Sequence, residues 1–129
     1  MTRHDLVSGL FNIIQNNELV GNRECIYPAS KLIAAILKIL QKYSYIGEFE
    51  YIDDGRGGKF KIQLLGRINK CGSIKPHYSV KVKELEEWEK QYLPARDIGI
   101  LILTTPKGVI SHIEAKKLNV GGRLLGYVY

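Results

Sequence analysis

The chain has 129 residues, of which 45% are hydrophobic and 25% are charged. This length suits one domain or two small lobes, and this composition is that of a globular protein rather than a disordered chain. No apolar run approaches the roughly 20 residues that a membrane-spanning helix needs, and the first residues lack the apolar stretch of a signal peptide. We therefore expect a folded cytoplasmic protein that does not contact a membrane.

The formal net charge of +6 is concentrated in the second half of the chain. Residues 1–66 carry 8 Lys or Arg against 7 Asp or Glu, whereas residues 67–129 carry 11 against 6. Residues 67–83 hold five basic side chains and no acidic ones, and a cluster of four glutamates follows over residues 84–89. A basic face next to an acidic one favours a polyanionic partner. Charge alone is also compatible with a solvated surface of mixed sign.

The first half of the chain predicts a small α/β lobe over residues 1–66. Apolar residues recur at helical spacing in two stretches, and Ser30 is placed to cap the second. A glycine-rich stretch over 53–58 separates two alternating runs, which is typical of a hairpin. In chain order the predicted elements are a helix over 3–16, a strand over 23–27, a helix after Ser30, and hairpin strands over 46–52 and 59–65.

The second half predicts a β-rich lobe over residues 67–129 with a short helix. Glycines and a proline indicate a joint over 66–76. The elements expected after it are a strand over 79–83, an acidic helical turn over 84–91, a buried strand over 98–103, a loop over 104–108, a short strand at 109–110, a helix from Ser111 to Leu118, and a last strand over 123–129. We therefore expect an α+β fold of two small lobes.

The sequence shows no pattern of catalytic or metal-binding residues. The three histidines and the distant thiols Cys25 and Cys71 have no zinc-site spacing. Asp53 and Asp54 are adjacent in an exposed turn, where neighbouring carboxylates diverge. Residues 55–59 contain a glycine-rich run ending in lysine, but strands flank them and a phosphate-binding loop needs a helix at its end. We expect neither an enzyme nor a metal or other cofactor.

Residues 104–108, the TTPKG segment, are the best candidate for an RNA contact. The hydroxyls of Thr104 and Thr105 can reach base edges and ribose 2′-hydroxyls, while Lys107 can meet a phosphate. Gly108 lets a backbone approach closely. From these residue types alone, a plain turn is the better explanation of the segment.

Several separate motifs resemble one family, that of the eighth small-subunit ribosomal protein. The matching stretches, which extend over almost the whole chain, are Pro-Ala-Ser-Lys at 28–31, Tyr-Ile-Gly-Glu-Phe-Glu at 45–50, Arg-Ile-Asn-Lys-Cys-Gly at 67–72, Leu-Pro-Ala-Arg-Asp-Ile-Gly at 93–99, Leu-Thr-Thr-Pro-Lys-Gly-Val-Ile-Ser-His at 103–112, and the ending Gly-Gly-Arg-Leu-Leu-Gly-Tyr-Val-Tyr at 121–129. Arg123 after the double glycine and the turn at 52–56 resemble the archaeal and eukaryotic branch. The sequence of residues 92–99 is more similar to the archaeal form than to the eukaryotic one.

The resemblance implies a structural constituent of the small ribosomal subunit, present as a monomer within it. It implies a primary binder of the central domain of small-subunit ribosomal RNA, which supports assembly beside neighbouring ribosomal proteins in the cytoplasm. The RNA-contacting residues carried over from the family are those of the TTPKG segment with His112 beside them, and Ser30 and Lys31 of the first lobe. Lys70 and Lys75 are expected to add phosphate contacts. The whole set is Thr104, Thr105, Pro106, Lys107, Gly108, His112, Ser30, Lys31, Lys70 and Lys75.

Pro106 departs from the family, which usually has Ser or Thr at that position. Proline removes a hydroxyl and a backbone donor, but it stiffens the segment and so lowers the ordering cost of binding. Two other functions are compatible with the sequence. One is a free RNA-binding regulator that represses its own message, and the other is an enzyme that acts on RNA.

Overall fold

The computed structural model describes residues 6–74, 79–95 and 98–129. The chain divides into two compact units, residues 1–69 and residues 70–129. The α+β fold class expected from the sequence is confirmed, because helices and antiparallel sheets are both present. That the units are separate domains, with a boundary after Gly66, stays a prediction.

The first unit has the predicted order of helix, strand, helix and hairpin. Its three strands form one antiparallel sheet in which β3 lies between the other two. In chain order the elements are α1 (Leu6–Leu19), β1 (Glu24–Pro28), α2 (Lys31–Lys42), β2 (Ile46–Ile52) and β3 (Lys59–Leu64). The first helix thus ends later than the predicted residue 16. The predicted residues 3–5 lie outside the described part.

The start of α2 and the core beneath it follow from local sequence signals. The hydroxyl of Ser30 accepts a hydrogen bond from the amide of Ile33 at 3.1 Å, which satisfies one of the amides left free at a helix start. Both helices turn an apolar face inward, and burial of these side chains stabilises the unit. The fully buried side chains of this core are Leu10, Phe11, Ile14, Ile33, Ile36, Leu37, Leu40, Ile46 and Ile62.

The second unit is built on a five-stranded antiparallel sheet. The strands β4, β8, β6 and β7 are neighbours in that order, and β5 also pairs with β8. The elements are β4 (Cys71–Ser73), β5 (Ser79–Val80), a 3-10 turn (Val82–Glu84), α3 (Leu85–Tyr92), β6 (Ile100–Thr105), β7 (Gly108–Ser111), α4 (His112–Leu118) and β8 (Gly122–Val128). None of the helices in the described ranges is long and apolar enough to cross a membrane.

The strand predicted over 79–83 is wrong in its second half. Pairing stops at Val80, and Val82–Glu84 form a helical turn that leads into α3. The cause is Glu84, whose amide donates to the Lys81 carbonyl at 2.9 Å and whose carboxylate accepts from the Lys81 amide at 3.0 Å. These two bonds draw the chain into a turn where the sequence predicted an extended strand.

Two other boundaries in this unit differ from the sequence prediction. The strand expected over 98–103 runs from Ile100 to Thr105, because Gly99 has a φ of 85°, which an extended strand does not allow. The joint expected over 66–76 contains the short strand β4, whose residues pair with the distant residues 126–128. A pairing partner so remote in sequence leaves no local signal.

Candidate nucleic-acid interface

The TTPKG segment is the end of a tight β-hairpin rather than the predicted five-residue loop. Thr104 pairs with Val109 and Thr105 pairs with Gly108, so both threonines belong to β6. Pro106 and Lys107 alone lie between the strands, and both are exposed. The sequence prediction of a loop was wrong here because threonine is equally suited to a strand and to a turn.

The side chain of Thr105 closes this turn. Its hydroxyl accepts a hydrogen bond from the Lys107 amide at 3.1 Å and donates one to the Gly108 carbonyl at 2.8 Å. Pro106 occupies the first central position of the turn, where its fixed φ is favourable. Gly108 has a φ of 118°, which a side chain would oppose. The turn is therefore preorganised, and the second lone pair of the Thr105 hydroxyl accepts no hydrogen bond from the residues that the structure describes.

The two threonines point to opposite faces of the hairpin, because neighbouring residues alternate along a strand. Thr104 lies directly beside Arg123 of β8, and Arg123 in turn lies directly beside Ser79 of β5. Direct partners in an antiparallel sheet share a face. Thr104, Arg123 and Ser79 therefore form one polar row next to the turn. Residue types alone do not predict Arg123 at this site, because cross-strand register cannot be read from one sequence.

His112 is buried inside the second unit, with 5% of its surface exposed. Its Nδ1 accepts a hydrogen bond from the Leu101 amide at 3.0 Å, and its Nε2 lies 2.8 Å from Oε1 of Glu89. The same carboxylate oxygen accepts from Nζ of Lys116 at 2.7 Å. Because an amide donates to Nδ1, the neutral ring carries its proton on Nε2 and donates it to Glu89. His112 joins β6, α3 and α4, and its ring does not face solvent as a direct contact would.

The buried ring predicts a loss of stability at mildly acidic pH. Burial lowers the pKa of His112 from its ordinary 6.5; the Glu89 carboxylate opposes this shift and Lys116 adds to it. At pH values between the folded-state pKa and 6.5, the unfolded chain binds more protons than the folded protein does. The free energy of unfolding therefore falls as the pH falls below about 6.5. We expect a lower melting temperature at pH 5.5 than at pH 7.5. A His112→Leu variant should lose this difference, and an equal difference in the variant would contradict the assignment.

Of the remaining predicted contacts, Lys70 lies in the described part of the second unit. Ser30 and Lys31 belong to the first unit, where Lys31 is exposed at the start of α2. Lys70 is exposed next to β4, and its backbone pairs with Tyr129 after the end of β8. That is the opposite end of β8 from the turn, about 20 Å away at the rise of a strand. Lys75 lies outside the described residues.

Side chains that could hold a metal ion are not gathered in the part of the chain that the structure describes. No group of three His, Cys, Asp or Glu side chains within residues 6–74, 79–95 and 98–129 is placed to hold a metal ion. Cys25 and Cys71 are both buried, and burial with the nearby Glu18 charge raises the pKa of the Cys25 thiol to about 11. Such a thiol is unreactive at neutral pH.

Comparison with known proteins identifies the family. Residues 5–129 match the family described as Ribosomal protein S8. Proteins called "Small ribosomal subunit protein uS8" are similar to the whole chain. That of Caldivirga maquilingensis is 55% identical over 130 residues, with 100% of both chains covered. That of Methanococcoides burtonii is 56% identical over 126 residues, with 97% of each covered. That of Pyrobaculum islandicum is 53% identical over 130 residues, with 100% of both covered. All three species are archaeal, as the branch motifs predicted. The chain belongs to the ribosomal protein S8 family.

Proposed function

We propose that this protein is a structural component of the small ribosomal subunit in the cytoplasm and binds the central domain of small-subunit ribosomal RNA. It acts as one copy per subunit, beside other small-subunit proteins, and it is not an enzyme. Full-length similarity to proteins named for the small ribosomal subunit supports the subunit assignment. The RNA assignment depends on the geometry of the β6–β7 hairpin.

The observation that carries the RNA assignment is the closed turn at the end of this hairpin. A narrow, rigid projection with an exposed Lys107 suits the wide and shallow minor groove of A-form RNA, where 2′-hydroxyls and base edges are accessible. Because Thr105 and Pro106 already fix the turn, little conformational entropy is lost on binding. Pro106 lowers the ordering cost of binding, and this gain outweighs the loss of the hydroxyl that Ser or Thr would supply at that position. The loss is small because Thr105 supplies the hydrogen bonds that close the turn.

Each side chain of the TTPKG segment then has a separate role. Thr105 holds the turn and offers its second lone pair to a ribose hydroxyl. Thr104 offers a hydroxyl that has no partner among the residues that the structure describes. Lys107 supplies a phosphate contact at the turn. His112 is a positioning residue, because it ties β6 to the start of α4 from inside the unit.

The first unit contributes a second, weaker contact in this proposal. The Ser30 hydroxyl oxygen accepts from the Ile33 amide, and its proton has no acceptor among the residues that the structure describes. Lys31 is exposed beside it at the helix start, where the helix dipole favours a phosphate. Lys70 would meet a different part of the RNA from the turn, since it lies at the far end of β8.

Filter binding to a central-domain RNA fragment tests the proposal. We expect Thr105→Val to weaken specific binding by about 1–3 kcal/mol, because the isosteric methyl cannot close the turn or pair with the RNA. Thr105→Ser keeps the hydroxyl and should bind like the unaltered protein. Lys107→Ala should reduce the slope of log affinity against log salt by about 0.7–0.9.

Amide hydrogen exchange supplies the structural control. In Thr105→Val the Lys107 amide loses its acceptor and should exchange faster, whereas amides in the centre of β6 should not change. Faster exchange at Lys107 with undiminished RNA affinity would mean that the turn is not the RNA contact. Absence of specific binding by the unaltered protein would contradict the proposed function as a whole.

A further inference from the structure

We propose that the polar row of Ser79, Arg123 and Thr104 is a second RNA-backbone site beside the hairpin turn. Arg123 binds the phosphate next to the nucleotide whose ribose 2′-hydroxyl meets Thr104. This inference rests on the proposed function. It extends the contact from the turn across β8 to β5, and it adds a residue that the sequence motifs did not assign.

The strand register brings these side chains together. Thr104 and Arg123 are direct partners between β6 and β8, and Arg123 and Ser79 are direct partners between β8 and β5. Direct partners in an antiparallel sheet have Cα atoms about 4.5–5.5 Å apart and side chains on one face. A hydroxyl, a guanidinium and a second hydroxyl therefore stand side by side across three strands.

The backbone that carries Arg123 is held from both sides. A Cβ at Gly121 would meet the Val80 carbonyl oxygen and come within 3.1 Å of the Lys81 Cα. A Cβ at Gly122 would meet the Thr104 carbonyl oxygen. The two glycines thus allow β5, β8 and β6 to approach unusually closely just before Arg123. A side chain on such a fixed backbone is well placed to meet a ligand without reorganisation.

The guanidinium of Arg123 is available to a ligand. Arg123 and Ser79 are exposed and Thr104 is half-buried. The Arg123 side chain has no ion pair or hydrogen bond within residues 6–74, 79–95 and 98–129. By contrast, Lys116 in the same unit is paired with Glu89.

The chemistry of the row matches the sugar-phosphate backbone of RNA. A guanidinium binds a phosphate through two parallel hydrogen bonds. A threonine hydroxyl can donate to and accept from a 2′-hydroxyl, which distinguishes RNA from DNA. Because Arg123 and Thr104 are one strand spacing apart, they can contact adjacent groups of one RNA strand. Lys107 at the turn then supplies a second positive charge for an RNA phosphate, apart from that of Arg123.

Arg123→Gln tests the site, with Arg56→Gln as the matched control. Arg56 is also exposed and lies in the turn between β2 and β3, so its replacement removes the same charge elsewhere. We expect Arg123→Gln to weaken binding to the central-domain fragment about tenfold, the value of one charged hydrogen-bonded contact. The salt slope should fall by about 0.7–0.9. Arg56→Gln should change neither quantity, and urea unfolding should show both variants folded.

Two further variants separate a specific contact from net charge. Arg123→Lys keeps the charge but not the paired hydrogen bonds, so it should keep the salt slope and lose affinity. The double variant Thr104→Val with Arg123→Gln should weaken binding by less than the sum of the two single losses, because both residues contact the same RNA strand.

Equal effects of Arg123→Gln and Arg56→Gln would overturn the proposal. If Arg123→Gln binds normally while Thr105→Val does not, this inference alone fails. If the unaltered protein does not bind, the proposed function fails.

Discussion

Replacing His112 by leucine should lower the free energy of unfolding by about 3 kcal/mol. The substitution keeps an apolar side chain in a buried position, so most of the packing is retained. It removes the acceptor for the Leu101 amide and the donor to Glu89. The buried amide and the carboxylate each lose one hydrogen-bond partner. An unsatisfied buried donor costs more than the hydrogen bond contributes when it is formed.

A graded pair of variants makes this prediction specific. His112→Asn can place an oxygen near the position of Nδ1, so it should retain the bond from Leu101 and lose only the contact with Glu89. Its loss of stability should be intermediate. Ile113→Ala changes the exposed neighbour and should cost less than about 1 kcal/mol. Urea unfolding at pH 7.5 measures all three, and a leucine variant as stable as the unaltered protein would show that the network is not stabilising.

Gly122→Ala should also cost about 3 kcal/mol, at the upper end for overpacking. The added Cβ would meet the Thr104 carbonyl oxygen and lie 2.9 Å from Cγ2 of Thr105. The first of these is backbone of the central strand β6 and cannot rotate away. Because the strand must shift where the polar row and the turn begin, RNA affinity should fall together with stability.

Gly72→Ala is the matched control for this prediction. A Cβ at Gly72 would lie 3.1 Å from the hydroxyl oxygen of Tyr127, the far end of a side chain that can move. Its cost should stay below about 1 kcal/mol. Chemical unfolding measures the stability of both alanine variants. Their RNA affinities are compared at a temperature below the unfolding transition of each. Equal losses for the two alanine variants would contradict the close approach of β8 and β6.

Local signals in the sequence predicted those parts of the fold that depend on neighbouring residues. The predicted cap at Ser30 is confirmed. The helix predicted from Ser111 also begins there, where the Ser111 hydroxyl accepts from the Glu114 amide at 3.3 Å. The hairpin of β2 and β3 followed from alternating apolar residues around a glycine-rich turn. These features need only the residue types within a few positions, which one sequence supplies.

The parts that the sequence did not predict depend on partners far along the chain. Arg123 gains its place beside Thr104 only through the pairing of β6 with β8. His112 is predicted by the family motif as an RNA contact, yet Glu89 and the Leu101 amide occupy its two nitrogens. The role of Thr105 was also hidden, because a hydroxyl that closes a turn and one that faces a ligand have the same residue type.

Hydroxyl-radical footprinting of small-subunit ribosomal RNA tests the central claim most directly. The RNA is probed with the unaltered protein, with Thr105→Val and with Thr105→Ser. We predict protection of riboses along a minor groove in the central domain, with the part contacted by the hairpin turn lost in the valine variant and kept in the serine variant. Protection confined to other domains, or the same central-domain protection with the valine variant, would contradict the account.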